Sequence, residues 1–267
     1  YAQYVTGQTL PLSQNEIFRA DAINANGIQL ERGAYTSTTA TIMPNQWNLS
    51  GKTTSDNYGT NPGVTTSNLS YSNYVDNNKG LKITMNGGTA GLRSSVYSLT
   101  SASEYANKHF YMSVLVNLSG APSSTNDFFS FDGNHTANSQ RGKLYVKTSG
   151  TGIVFGLGWN GSPTVWSSEV PLNQTHLIVI KAYPSTTLNE VASFFVNPAI
   201  GSTESAVVGT NGLVEYQSTN AANGLKYIRG ITLKQRASIV GTIGGIRFSD
   251  NWADVVKSGA TKLATPE

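Results

Sequence analysis

Asp127, Asp132 and Asn134 stand close together in the chain, and all three side chains offer oxygen. A hard cation such as Ca2+ takes about six to eight oxygens, drawn from carboxylates, amide carbonyls and main-chain carbonyls. Asp127, Asp132 and Asn134 are therefore the candidate metal ligands, with Ca2+ the candidate ion. Asp56, Asn57, Asp76, Asn77 and Asn78 form a second acidic and amide-rich group. Neither group has the spacing of an EF-hand, and the same residue types also serve as plain turn formers. Asp127 and Asp132 could otherwise be read as an acid–base pair. Glycoside hydrolysis needs two carboxylates flanking one bond. Residues an odd number of positions apart point to opposite faces of a regular strand, which separates these two. Glu104, Glu169, Glu190, Glu204 and Glu215 are isolated and read as solvated surface groups.

The aromatic residues point to different chemistry. A ring face packs against the apolar C–H face of a sugar while nearby amides and carboxylates bond its hydroxyls. Trp159 and Trp166, on either side of the Asn160–Pro163 turn, are candidate platforms, and so are Tyr71 and Tyr74. Each has a competing reading as a core residue, and Trp47 and Trp252 are assigned to packing. Arg141 is a candidate for bonding an acidic or hydroxylated ligand, against a structural bond to a loop carbonyl. His135, in the polar run Asp132-Gly-Asn134-His135, is the histidine in the most functional setting. His109 and His176 open strands. No two histidines have the i, i+2 or i, i+4 spacing of metal ligands. Gly156-Leu-Gly158-Trp-Asn-Gly161 matches G-x-G-x-x-G, but Ser162-Pro163 and strand-like sequence follow it. A dinucleotide site needs a helix there. No G-x-S-x-G elbow is present.

These residues must be carried by β-structure. His109–Leu118, Asp127–Asp132, Gly142–Lys147, Thr151–Trp159, Thr175–Tyr183 and Glu190–Pro198 are short runs rich in β-branched and aromatic residues. His109–Leu118 places Phe110, Met112, Val114, Val116 and Leu118 on one face, with Tyr111 and Leu115 on the other. Apolar bulk on both faces predicts a central strand covered on both sides. Leu81–Met85 alternates as a half-buried strand, and Leu92–Leu99 follows the Asn86-Gly87-Gly88 turn. Leu225–Arg236 and Thr242–Ser249 are the last strands, and Asn251–Lys257 suits one helical turn. At the other end, Ala20–Ala25 suits a short helical turn. Gly27–Glu31 and Thr39–Met43 read as edge strands, and Trp47–Tyr74 reads as loop. Short strands punctuated by turns predict an all-β, two-sheet antiparallel jelly-roll sandwich. The expected organisation is an irregular segment over residues 1–46 contributing edge strands, a sandwich domain over 47–257, and a tail over 258–267.

Composition narrows the function classes. The 267 residues contain no cysteine, which excludes disulfides, thiolate metal sites and a cysteine nucleophile. Charged residues make up 12 % of the chain, about half the usual share, and hydroxyl and amide residues are abundant. The net charge of +3 is spread without a basic run, which argues against nucleic acid as a partner. No stretch approaches the ~20 apolar residues of a membrane-spanning helix. The chain opens on Tyr1 rather than Met, as a mature form left by signal-peptide removal or a trimmed chain would.

The order of several segments carries a resemblance. LSYSNYVDNNKG, HFYMSVLVNLS, DFFSFDGN, RGKLYVKTSGTGIVFGLG, LNQTHLIVIKAY, FFVNPAIG, IRGITLKQR and GGIRFSDNWADVV follow one another over about residues 47–256. Together they resemble the concanavalin A-like, or laminin-G-like, jelly-roll domains of secreted Bacteroidetes-type bacterial proteins. The resemblance implies a two-sheet sandwich, a secreted or cell-surface (extracytoplasmic) location, and recognition of carbohydrate or another cell-surface component. The Glu-x-Asp-x-Glu strand of jelly-roll glucanases does not occur here. The leading expectation is a non-catalytic, carbohydrate-binding module. The alternatives are a polysaccharide-degrading enzyme, glycosidase or lyase, and a structural or adhesive surface protein that binds other proteins.

Overall fold

The computed structural model describes residues 16–24, 27–30, 33–34, 47–49, 64–65, 69–74, 82–86, 93–98, 109–132, 140–159, 161–163, 165–183, 191–201, 203–204, 214–217, 230–249 and 251–258. They form two antiparallel sheets packed face to face as a sandwich. The long strands fall where apolar alternation places them. β8 (Phe110–Gly120) lies at the middle of the larger sheet and pairs with β13 (Thr175–Tyr183), Val114 opposite Ile178 and Met112 opposite Ile180. β14 (Val191–Val196) and β15 (Val214–Gln217) continue the sheet outward from β13. On its other side β8 pairs with β17 (Val240–Ser249).

β17 is shared by two further neighbours. Its first half pairs with β6 (Lys82–Asn86), which carries β5 (Val64–Thr65) at its edge. Its last residues pair with β1 (Glu16–Asn24), followed by β2 (Gly27–Leu30) and β3 (Gly33–Ala34). The helical turn expected over Ala20–Ala25 is therefore corrected to strand as far as Asn24, Ala25 lying outside the described residues. Glu16 to Arg19 pair with β17 and Ala20 to Asn24 with β2, and a ladder of this kind overrides a weak local helix preference.

The smaller sheet runs in the order β12 (Val165–Trp166), β11 (Gly152–Gly158), β10 (Gln140–Ser149), β9 (Asn126–Asp132), β16 (Gly230–Gln235), β7 (Arg93–Ser98) and β4 (Trp47–Leu49). The stretch expected as loop from Trp47 to Tyr74 thus supplies β4, β5 and a bridge from Tyr74 to Ser258. The run Thr39–Met43, expected as an edge strand, lies outside the described residues.

Between the sheets Phe110, Met112, Val114 and Val116 of β8 meet Phe129, Phe131, Leu144, Val146, Phe155 and Leu157 of the smaller sheet. Each such side chain removed from water contributes about 1.5–3 kcal/mol, which is how the sandwich holds without a disulfide. A second apolar layer covers the outer face of the larger sheet. Tyr111 and Leu115 of β8, Leu177 and Val179 of β13 and Phe195 of β14 pack there against Leu69, Tyr74 and the helix α1 (Trp252–Val255). β8 is covered on both faces, as its sequence requires. Trp252 is the anchor of α1, its ring set edge-on to Phe195 at 4.8 Å and to Tyr111 at 5.8 Å. Asn251 starts the helix by accepting from Ala253 N at 3.2 Å. Among the described residues no helix is long and apolar enough to cross a membrane.

Candidate functional site

Where the apolar layer on the larger sheet runs out, a cleft of about 580 Å3 opens beside the start of β13. Its walls come from four places in the chain: Ser70 to Asn73, Gln174 and Thr175, the segment from Asn197 to Ile200, and Ser258. Tyr71 to Tyr74 is a tight turn closed by Tyr74 N donating to Tyr71 O at 3.2 Å. Asn73, third in the turn, has φ 61°, a conformation asparagine tolerates better than most residues. Tyr74 is buried and places its hydroxyl 3.0 Å from Ser113 of β8. Tyr71, set edge-on to it at 6.2 Å, stays half-buried on the cleft wall. The burial of the Tyr71 ring raises its phenol pKa, so the hydroxyl stays protonated through the neutral range.

The far wall is held by Asn197, also left-handed at φ 53°. Its N–H donates to Leu177 O at 2.7 Å and its Oδ1 accepts from Leu177 N at 3.0 Å, which prolongs the β13–β14 pairing by one side-chain rung. Its Nδ2 lies 3.1 Å from His176 Nδ1, and His176 Nε2 lies 2.9 Å from Pro171 O. A carbonyl only accepts, so Nε2 carries the proton and Nδ1 accepts from the amide. His176 is thus a structural residue beneath the wall, spent on fixing Asn197. Chemically the cleft offers one aromatic ring, the amides of Asn73 and Gln174 and the hydroxyl of Thr175.

The residues singled out from sequence fall in different places. Tyr71 borders the cleft, while Tyr74 supports it from within. Trp159 is corrected: it is 2 % exposed and belongs to the core between the sheets, so it offers no ring face to a ligand. Its indole Nε1 is buried without a hydrogen-bond partner. Trp166 is half-buried on the outer face of the smaller sheet, with Lys147 Nζ 4.2 Å from its ring centroid. A Cβ at Gly156 would come 2.8 Å from that ring, so Trp166 seats directly on the strand backbone and its ring is already engaged. Arg141 is buried, and its Nη1 donates to Gln140 O at 2.9 Å. His135 and Asn134 lie outside the described residues, as do Asp56, Asn57, Asp76, Asn77 and Asn78. Of Asp132 only the backbone is described, in β9 opposite Gln140.

Asp127 is also corrected as a metal ligand. It is 5 % exposed, and both its carboxylate oxygens are taken. Oδ2 accepts from Lys234 Nζ at 2.6 Å and Oδ1 accepts from Arg236 Nη2. Arg236 Nε also donates to the Asp127 carbonyl at 2.9 Å. Burial alone would raise the Asp127 pKa, but the two cations outweigh it and hold the carboxyl below its ordinary value. A buried carboxylate already paired with two cations has no net negative charge left to attract a metal ion. Among the described residues no group of three or more His, Asp or Glu is placed to hold a metal.

Asn73, Gln174, Thr175 and Asn197 are absent from the set chosen on sequence. The only local signs were the dipeptides Asn173-Gln174 and Asn197-Pro198, each marking the end of a turn.

No family model matches this chain, and no curated protein matches it. Solved structures with a related arrangement include a mutant Trypanosoma rangeli sialidase displaying trans-sialidase activity, 12 % identical with a TM-score of 0.41. That match takes in 73 % of this chain but only 28 % of the sialidase chain. An endo-β-1,4-glucuronan lyase from Trichoderma reesei is 10 % identical, with 74 % of this chain and 91 % of the lyase covered and a TM-score of 0.43. The binding domain of botulinum neurotoxin DC in complex with SialylT is 11 % identical, with 89 % of this chain and 48 % of that chain covered and a TM-score of 0.46. At these scores the likeness is distant, and the sandwich described above rests on its own sheets.

Proposed function

We propose that this chain is a non-catalytic carbohydrate-binding module of an extracytoplasmic or cell-surface protein, and that the Tyr71 cleft is its site. The observation that carries the reading is the lining itself. One half-buried ring stands among amides and hydroxyls in a cleft of about 580 Å3, within the range of ligand sites. A neutral sugar asks for that combination: a ring against its C–H face, and groups that both donate and accept for its hydroxyls. Asn and Gln amides supply both at once. The clasp on Leu177 and the Tyr74–Ser113 contact hold the walls in place before a ligand arrives, which lowers the ordering cost of binding.

The test is isothermal titration against a panel of neutral oligosaccharides, with and without a calcium chelator, on the wild type and on Tyr71→Ala and Gln174→Ala checked for folding. Binding by the wild type, weakened in both folded variants, supports the reading. A blank panel, or binding indifferent to both changes, rejects it. Release of new reducing ends from any bound polysaccharide would favour the enzyme alternative instead.

A further inference from the structure

Under the far wall of the Tyr71 cleft, three hydrogen bonds run in one direction. The Leu177 N–H donates to Asn197 Oδ1 at 3.0 Å, the Asn197 amide donates to His176 Nδ1 at 3.1 Å, and His176 Nε2 donates to Pro171 O at 2.9 Å. Both ends of the run are backbone groups with a single possible role: an N–H only donates, and a carbonyl only accepts. The amide must therefore turn its oxygen to Leu177 and its nitrogen to His176, and the imidazole must be neutral with its proton on Nε2. The two ends are also fixed in place. Leu177 lies in β13 opposite Leu115 of β8. Pro171 follows Val170, whose N–H and carbonyl are both bonded to Ile153.

His176 is buried. Val116 lies opposite it in β8, the Phe155 ring of β11 stands edge-on to it at 6.1 Å, and Asn197 reaches it from the end of β14. None of these three side chains titrates. Glu169, the acidic residue nearest in sequence, lies instead against the Gly150–Thr151 turn, where it accepts from Thr151 Oγ1 at 3.4 Å. His109, the other described histidine, stands at the opposite end of the β8–β13 pair, next to the rung where Phe110 faces Ala182.

A second proton on the ring has no place in this run. An imidazolium donates from both nitrogens. Its Nδ1–H would face the Asn197 NH2, donor against donor. Turning the amide over would satisfy the ring but set the NH2 against the Leu177 N–H. Either way Asn197 is pushed off His176 or off Leu177, and the left-handed φ of 53° loses part of what holds it. Asn197 begins the cleft segment that ends at Ile200, and Pro171 stands just before the turn that carries Gln174 and Thr175. Two cleft walls therefore meet at one ring.

We propose that His176 is a positioning residue that makes the Tyr71 cleft sensitive to protons: the neutral ring holds the walls for ligand, and the charged ring releases Asn197 and weakens binding. The inference rests on the carbohydrate reading of the cleft for its ligand, while the hydrogen-bond switch stands on the three bonds alone. Imidazole is the side chain that ordinarily changes charge between about pH 5 and 8. A carbohydrate held at neutral pH would be let go in mildly acid surroundings.

The experiment follows the wild-type chain first without ligand, from pH 7.5 to pH 5.0. Imidazole 15N spectra should show the His176 proton on Nε2 and none on Nδ1 at pH 7.5. Exchange of the Leu177 amide, corrected for the intrinsic effect of pH and compared with Val179 in the same strand, should become roughly tenfold faster at pH 5.0, as the loss of one hydrogen bond implies. Titration with a panel of neutral oligosaccharides, cellotetraose and maltotetraose among them, should show affinity falling by a similar factor. His176→Asn keeps an acceptor near the place of Nδ1 and takes no charge, so the folded variant should bind without that pH dependence. The wild-type readings decide the matter even if the variant does not fold. A His176 proton on Nδ1 at pH 7.5, Leu177 exchange that tracks Val179 throughout, or a pH dependence that survives His176→Asn would overturn the proposal. Affinity indifferent to pH beside a responsive Leu177 would overturn the link from His176 to the site. A responsive Leu177 with no oligosaccharide bound at either pH would support the switch and reject the carbohydrate reading of the cleft.

Discussion

Asn197 grips Leu177 by both of its backbone groups, donating from its own N–H at 2.7 Å and accepting at Oδ1 from the Leu177 N–H at 3.0 Å. The residue does this in a left-handed conformation, φ 53°, so backbone and side chain are both committed. Asn197→Ala should lose the side-chain bonds and also carry the left-handed cost of roughly 1–2 kcal/mol, for a total of about 2–4 kcal/mol. Asn197→Gly should lose only the bonds and fall about 1–2 kcal/mol short of that penalty. Urea unfolding of the three proteins measures it, and equal losses in the two variants would show that the conformation carries no strain.

Trp159 sets a different expectation. Its ring fills the inter-sheet core, so Trp159→Ala should destabilise by about 3–5 kcal/mol. Trp159→Phe also removes the buried Nε1–H that has no partner, and should cost clearly less than the lost ring volume alone suggests. Thermal denaturation of the two variants decides this. A Phe variant as unstable as the Ala variant would mean that the indole N–H is satisfied in solution.

Asp127 predicts the acid limit of the fold. Its carboxyl is held below the ordinary value, so its contribution is complete above the unfolded pKa, near 3.8, and is lost as pH falls through the folded value. Stability should therefore drop below about pH 4 in the wild type. Asp127→Asn should lower stability at pH 7 by about 3–5 kcal/mol, because Lys234 stays buried without its counter-charge. Part of the slope below pH 4 should disappear with it. Denaturant melts from pH 2 to 7 supply the test, and an unchanged acid slope in the variant would assign the acid limit to other groups.

Gly156 is a position where the strand must stay bare. Gly156→Ala would place a methyl 2.8 Å from the Trp166 ring and 3.1 Å from Pro163, forcing the ring off the sheet and away from Lys147. The expected cost is about 1–3 kcal/mol, with a shift in tryptophan emission as Trp166 becomes wetter. Unchanged emission and stability would mean that the β11–β12 edge yields without effect.

The strands of the central block were legible because their periodicity is strong. Thr175–Tyr183 is found with the bounds expected of it, and the neighbouring strands differ by a few residues at their ends. The two-sided apolar pattern of His109–Leu118 also foretold the second layer beneath α1. The burial of Trp159 was readable too: Ile153, Phe155 and Leu157 occupy one face of β11, and Trp159 continues their parity. The attraction of an aromatic beside a turn obscured that signal. The cleft was not readable. Tyr71, Gln174 and Asn197 meet only because β13 and β14 pair and the 69–74 segment folds over them, and no local pattern encodes so distant a meeting. Asp127 looked like a loop carboxylate because Lys234 and Arg236, which claim it, are more than a hundred positions away.

β17 lies between β8 and the pair β1 and β6, although it is the last strand of the described chain. A ribosome therefore delivers every neighbour of this strand before the strand itself. Until residues 240–249 emerge, β8 presents one bare edge, and β1 and β6 have no sheet to join. The nascent chain is exposed for that interval to wrong pairing, a hazard of folds dominated by distant contacts. Completion of the sandwich is in effect a single late event that waits for residues 240–249, and a chain cut before Val240 should collect as aggregate rather than as a smaller folded domain.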